Sequence, residues 1–272
     1  MSEHPILFNA DMVRSILEGR KTQTRRPVVV PWKGGKRVPP YEPYYVEEDG
    51  RLFFEDEYGD FHPMEQRCPF GKPGDILWVR ETWRVSGWDL DGESISVDFR
   101  SDGMIDKRLR DVCDSDQFTR LVEQSCDDAE TAGVEQAGKT IDEEGFGDDP
   151  ARYIWDSGNS PCRWRPSIHM PRWAARIFLR VKSVRVERLW SITEEDAKAE
   201  GVKHIPFSEC DYIPDSEFCV VEGRTSVTNF ETPIHRAGFF KEWESVYKNW
   251  DSNPWVWVVE FERVDETEVS NA

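Results

Sequence analysis

Long apolar runs are missing from this 272-residue chain. No stretch approaches the ~18 apolar residues of a membrane-spanning helix. Residues 1–20 lack the basic, apolar and small-residue regions of a secretory signal. Histidine is sparse, five scattered residues, and no C-x-x-C pair occurs, so zinc-ligand spacing is absent. The six cysteines (Cys68, Cys113, Cys126, Cys162, Cys210 and Cys219) sit in a chain too long to need staples. Reduced thiols and a cytoplasmic location are therefore expected. No internal repeat is visible. These absences exclude a membrane protein, a disulfide-stapled secreted mini-protein and a collagen-like fibre, and they call for no metal and no cofactor. Twelve Trp and fifteen Phe exclude a wholly disordered chain, and the length suffices for a real core.

Lysine is scarce too, 11 against 24 arginines, in a chain of net charge −18. The acidity is local: residues 87–160 hold 20 Asp/Glu against 7 Lys/Arg, a net of −13. Residues 161–190 reverse it, with eight Lys/Arg against Glu187, a net of +7. The acidic stretch reads as a solvated insertion that could serve as a protein-partner surface. A chain this acidic is repelled by bulk nucleic acid, while a local basic face still binds phosphate.

Residues 6–18 place Met12, Val13, Ile16 and Leu17 at helical spacing, with Asn9 or Asp11 as N-cap and Gly19 as stop. Residues 31–75 read as a long ordered loop with one hairpin at 44–62, and Lys72-Pro73-Gly74-Asp75 as a turn into a strand at 76–83. Strong periodicity is lost over 86–160, apart from a short helix at about 115–126; 127–150 reads as mobile. Pro171 opens a short helix through Arg172-Trp173-Ala174-Ala175-Arg176. A strand follows at 177–189. Ser191-Ile192-Thr193-Glu194 fits a capping box for a helix ending at Gly201. Residues 203–234 form another irregular insertion; an apolar helix face at Phe239, Trp243, Val246, Tyr247 and Trp250 precedes the strand after Pro254. Irregular strand–helix alternation favours one small barrel-like α+β domain over a doubly wound sheet.

The densest polar stretch is Gly19-Arg20-Lys21-Thr22-Gln23-Thr24-Arg25-Arg26, closed by Pro27. Cationic neighbours lower a lysine's proton affinity, which fits Lys21 as a base. Thr24 is its candidate nucleophile. On a regular strand positions 21 and 24 face opposite ways, so Thr22 is a rival.

This stretch, then Pro73-Gly74-Asp75 with its strand, Leu189 to Gly201, and the strand Trp257–Phe261 together resemble the ASCH domain family, a PUA-like β-barrel group. The resemblance covers roughly 100 residues in the family's order, with core segments at about 6–27, 72–85, 166–202 and 236–264. Insertions lie at about 28–71, 86–165 and 203–235, and their motifs look like those of phage and prophage members, often labelled morphogenetic. The resemblance implies an α+β, PUA-like small β-barrel with flanking helices. Within the family the chain is similar to the small bacterial N4-acetylcytidine amidohydrolases, which are about a third of this length. Their catalytic Lys and Thr fall on Lys21 and Thr24, and their catalytic Glu on Glu200. At a helix C-terminus the dipole disfavours a second negative charge, an arrangement that suits a carboxyl giving its proton to a departing amine.

Arg26 is a candidate oxyanion or phosphate contact and Arg80 a candidate pocket residue. Arg172 and Arg176 at i, i+4, with Trp173 between, could grip a phosphate while the indole stacks on a base, or be ordinary surface around a core Trp. His169 reads as packed or capping; Trp78, Trp83, Trp255 and Trp257 read as core. Three functions follow: an amidohydrolase on a modified nucleoside, free or within RNA or DNA, with a ribonuclease as its variant; a non-catalytic nucleic-acid-binding module using the 161–190 stripe; and a phage structural part docking through 87–160.

Overall fold

The computed structural model describes residues 1–28, 43–46, 51–55, 61–89, 93–108, 115–132, 152–202, 220–221, 224–225 and 235–270. Residues 31–42 of the loop expected at 31–75, the segment 133–150 and most of 203–234 lie outside the described residues. Strands follow in the order β1 (Glu3–Leu7), β2 (Gln23–Pro27), β3 (Pro43–Val46), β4 (Arg51–Glu55), β5 (Phe61–Arg67), β6 (Ile76–Arg80) and β7 (Trp83–Asp89). Then come β8 (Ser94–Phe99), β9 (Met104–Arg108), β10 (Arg152–Ile154), β11 (Phe178–Arg188), β12 (Val220–Val221), β13 (Arg224–Thr225) and β14 (Trp255–Val264). The helices are α1 (Ala10–Leu17), α2 (Ser115–Ala132), α3 (Glu194–Ala199), α4 (His235–Val246) and α5 (Glu266–Ser270). The chain divides into two compact units: Met1–His4, Ser15–Leu77 and Leu179–Val264; and Pro5–Arg14, Trp78–Phe178 and Asp265–Ala272.

The first unit is organised by a five-stranded sheet of order β1-β6-β11-β14-β2. Its edges are β1 and β2, so it is open, and no sheet closes into a barrel among the described residues. The expected α+β class holds at that coarser level. β14 pairs antiparallel with edge strand β2, setting Thr24 opposite Val259. Its centre, Val256–Val259, is buried at every position, the pattern of a strand covered on both faces. On this strand packs a cluster of Leu189, Ile192, Ala197, Val202, Phe239, Trp243 and Trp250. That cluster pins α3 and α4 beside the sheet.

The start of α3 departs from the expected capping box. Thr193, not Ser191, is the N-cap: its hydroxyl accepts from Asp196 N at 3.0 Å and Asp196 accepts from Thr193 N at 3.2 Å. Leu189–Ser191 is consumed by a 3-10 turn whose Leu189 is fully buried. Glu194 instead takes the N–H groups of His235 and Arg236, capping α4. β3, β4 and β5 pair antiparallel in sequence order as a three-stranded sheet where one hairpin at 44–62 was expected.

The second unit corrects the reading of 86–160 as largely aperiodic. β10-β7-β8-β9 form an antiparallel sheet. α2 runs through Ala132 and buries Phe118, Val122, Ser125 and Ala129 on one face. Polar residues placed inside concealed the strand period: Asp98, buried in β8, accepts Arg84 Nε at 3.0 Å, Ser157 Oγ at 2.9 Å and Gly158 N at 2.9 Å. The expected helix at 172–176 is a single 3-10 turn, Arg172–Ala174, with Ala175 already extended. The buried Ile177 and Phe178 that follow are strand formers and draw the chain into β11.

Candidate active site

The segment between α1 and β2 is wedged between the C-terminal ends of α1 and α3. Asn9 caps α1 through Oδ1, 2.8 Å from Met12 N, and Gly19 at φ +72° turns the chain out of it. Lys21 N then donates to Ser15 O at 3.0 Å and Thr22 N to Ala199 O at 2.8 Å. This forms an isolated bridge between Lys21 and Glu200. Glu200 is the C-cap of α3, and Gly201 follows at φ +77°. A Cβ on Gly201 would stand 2.6 Å from Lys21 Cβ and 3.0 Å from Lys21 Cα. The close approach of Lys21 to Glu200 therefore requires glycine at 201.

Lys21 Nζ donates to Glu200 Oε2 at 2.8 Å and to the Glu200 carbonyl at 2.8 Å. Arg25 Nη1 reaches the other carboxylate oxygen at 3.3 Å. The Lys21, Arg25 and Glu200 side chains are 1%, 0% and 4% exposed. Arg25 also pairs with Glu187 and, at 3.1 Å, with Asp196. Arg185 extends the network to Asp196 at 3.0 Å and to Glu260. Burial holds the Lys21 amine below its ordinary proton affinity; the Glu200 charge opposes this, and Arg26 adds to it. Burial pushes the Asp196 carboxyl up, but Arg25, the Thr193 N–H and Gln23 more than offset it, leaving it below the usual carboxylate range.

Of the expected catalytic residues, Lys21 and Glu200 are brought together. Thr24 is buried in β2, and no hydrogen bond joins its hydroxyl to either among the described residues. Gln23 and Arg25 both reach α3 carboxylates, so alternation puts Thr24 on the other face of the strand. Arg26 donates to the Tyr247 hydroxyl at 3.1 Å. Thr22 is exposed at a cavity of about 560 Å³ lined also by Gln23, Asp196, Glu195 and Arg263.

The remaining expected residues belong to the second unit. The Arg80 guanidinium lies 5.4 Å from the Trp78 ring. Arg172 lies over Phe178 at 4.3 Å. Arg176 is committed to Glu81, Nε to Oε1 at 2.9 Å, and to Ser101 Oγ at 2.8 Å. Arg172 and Arg176 do not share the expected helix: the 3-10 turn ends at Ala174, and Arg176 beyond it is held by Glu81 and Ser101. Trp173 meets Trp83 edge to face at 6.1 Å. His169 is exposed at the end of the 3-10 turn Ser167–His169, which corrects the packed alternative of its packed-or-capping reading. Much of the 161–190 stripe is internally neutralised: Arg163 and Arg165 face Asp128, Arg180 faces Glu262 and Arg185 faces Asp196.

Sequence reasoning treated Arg25 only as a neighbouring charge, and it missed Asp196 and Glu187. The available signal was the spacing of Gln23 and Arg25, two apart on one strand face. No group of three or more His, Cys, Asp or Glu among the described residues could hold a metal ion. No described helix is long and apolar enough to cross a membrane. What the arrangement offers chemically is a buried amine–carboxylate pair able to exchange one proton. Comparison with protein-family models, with curated proteins and with solved structures finds no match for this chain.

Proposed function

We propose that the chain is an amidohydrolase of the PUA-like ASCH type that removes an N-acyl group from a modified nucleoside such as N4-acetylcytidine. The observation that carries this reading is the Lys21–Glu200 pair, 2.8 Å apart, buried, and supplied by residues 179 positions apart. The pair shares one transferable proton. Moved from Nζ to Oε2, it converts an ion pair into a neutral amine beside a carboxylic acid without changing net charge, and burial favours that form.

By the resemblance, the neutral Lys21 amine takes the Thr24 hydroxyl proton as the oxygen adds to the acyl carbonyl, a step that requires the edge strand β2 to turn Thr24 from its present face toward Lys21. Glu200 gives its proton to the departing N4 amine as the C–N bond breaks. Water adds to the acyl-threonine, passing a proton to the Glu200 carboxylate, and Lys21 returns the proton of Thr24 as the carboxylic acid leaves. Atoms and charges balance over the cycle. The PUA-like family reading rests on the sequence resemblance alone; the sheets support the mixed α/β class and not a closed barrel.

The test follows cytidine release from N4-acetylcytidine and other N4-acylated cytidines by wild type, Thr24→Ala and Thr22→Ala. Turnover by wild type and Thr22→Ala, lost in Thr24→Ala, is the expected result. Loss in Thr22→Ala alone transfers the nucleophile to Thr22. No release on any substrate by folded wild type overturns the amidohydrolase reading.

A further inference from the structure

The second unit holds a groove of about 250 Å³ that plays no part in the proposed chemistry. One wall comes from one face of α2, where Gln117, Arg120, Leu121 and Gln124 recur at helical spacing. The opposite wall is Trp83, Arg165, His169 and Trp173. Trp83 and Arg165 are locked by a reciprocal backbone bridge, Arg165 N to Trp83 O at 2.7 Å and Trp83 N to Arg165 O at 3.2 Å. The Arg165 guanidinium lies over the Trp83 ring at 5.4 Å.

Two features point to a ligand. Trp83 is 3% exposed, yet its indole N–H has no hydrogen-bond partner among the described residues, and neither do Arg165 Nε and Nη2. Buried donors of this kind are normally satisfied. Arg165 Nη1 reaches Gln124 at only 3.4 Å, and Asp128 stands 3.8 Å from Nη2. The second feature is charge. Between residues 87 and 160 acids outnumber bases 20 to 7, yet the groove lining contains Arg120, Arg165 and His169 and no carboxylate.

The ligand's shape follows from the aromatics. Trp83 is buried beneath Arg165, so the half-buried Trp173, its ring plane at 84° to that of Trp83, is the indole on which a planar ring can stack. The volume lies below the roughly 300–1,000 Å³ of clefts that enclose a drug-sized molecule, so one ring system enters. We infer that this groove binds a nucleoside monophosphate, base against Trp173 and phosphate toward Arg120 and Arg165. The surrounding negative charge works against a long polyanion. The nucleotide is therefore free or the 5′ end of a short strand.

Equilibrium dialysis of the full chain with the four ribonucleoside 5′-monophosphates, cytidine, inorganic phosphate and a 5′-phosphorylated hexanucleotide tests this. At least one monophosphate is expected to bind saturably, and more tightly than cytidine or phosphate alone. Arg120→Ala, at an exposed helix position, is expected to raise Kd roughly tenfold, the loss of one charge-assisted contact. Trp173→Ala is expected to raise it by roughly tenfold or more, the loss of one stacked base. Equal affinity for the hexanucleotide identifies the strand end as the source, and its rejection identifies the free nucleotide; either upholds the site. Inorganic phosphate binding as tightly as every nucleotide overturns it, as does unchanged affinity in both folded variants. The result is independent of N4-acetylcytidine hydrolysis, because neither Arg120 nor Trp173 takes part in that chemistry.

Discussion

Removing Glu200's charge should hurt the fold more than removing Lys21's, because one carboxylate serves two buried cations. Glu200→Gln leaves Lys21 and Arg25, whose side chains are 1% and 0% exposed, without their shared partner. Arg25 keeps Asp196 at 3.1 Å and Glu187; Lys21 keeps the Glu200 carbonyl at 2.8 Å. Deleting one side of a buried pair costs about 3–5 kcal/mol, mostly the uncompensated charge left behind. Lys21 can escape part of this by shedding its proton, which burial already loosens, so the low end, about 3 kcal/mol at pH 7, is expected. Lys21→Met leaves Glu200 still held by Arg25 at 3.3 Å, and about 1–3 kcal/mol is expected. The double variant should cost less than the sum of the two. The pH dependence has a definite sign. Folded Lys21 binds its proton more weakly than the unfolded chain, whose ordinary value is 10.5. The unfolded state therefore holds more protons in the window just below that value, and stability rises with pH there. That rise should be larger in Glu200→Gln than in wild type and vanish in Lys21→Met. Urea unfolding followed by Trp fluorescence, at pH 7 and at pH 9, measures all four proteins. A Lys21→Met cost exceeding that of Glu200→Gln at pH 7, or no recovery of Glu200→Gln at alkaline pH, refutes the reasoning.

Two glycines with positive φ separate backbone strain from crowding. Gly19→Ala, in open space, should cost about 1–2 kcal/mol, whereas Gly201→Ala, whose Cβ would meet Lys21 2.6 Å away, should cost clearly more by the same unfolding assay. Thr193→Ala removes the hydroxyl side of the α3 capping box and should lower stability by about 1 kcal/mol. The Asp196 carboxyl titrates below its ordinary 3.8 in the folded chain. Its contribution is therefore complete above that value and lost as pH falls through the lower one, so Asp196→Asn should flatten the acid limb of the stability curve.

What was legible in the sequence was local and periodic. The Asn9 cap and Gly19 stop of α1, the strand at 178–188 and the α3 stop at Gly201 all rest on signals within a few residues of the feature they mark. Failures came where tertiary contacts reassign a local signal. Glu194 looked like half of a capping box around Ser191 and instead caps a helix 41 residues away. Arg172-Trp173-Ala174-Ala175-Arg176 reads as helix on propensity, yet Arg176 has its guanidinium on buried Glu81 and its chain already extended. In β7 and β8 the salt-bridged Arg84 and Asp98 occupy interior positions, so a polarity count finds no strand period.

The candidate site shows the same division more sharply. Lys21 carried a local reason for attention, its cationic neighbours; Glu200 had none stronger than its place at a helix end. Their pairing came from the family resemblance alone, since no spacing rule links residues 179 apart. The bridge that joins them depends on Gly201, whose missing side chain is the space Lys21 fills. Arg25 is the decisive addition: by holding Glu200 from the other side it keeps the carboxylate in register with the amine. A pair fixed in this way is suited to passing a proton without rearrangement, because the atoms that exchange it are already at hydrogen-bond distance in the folded chain.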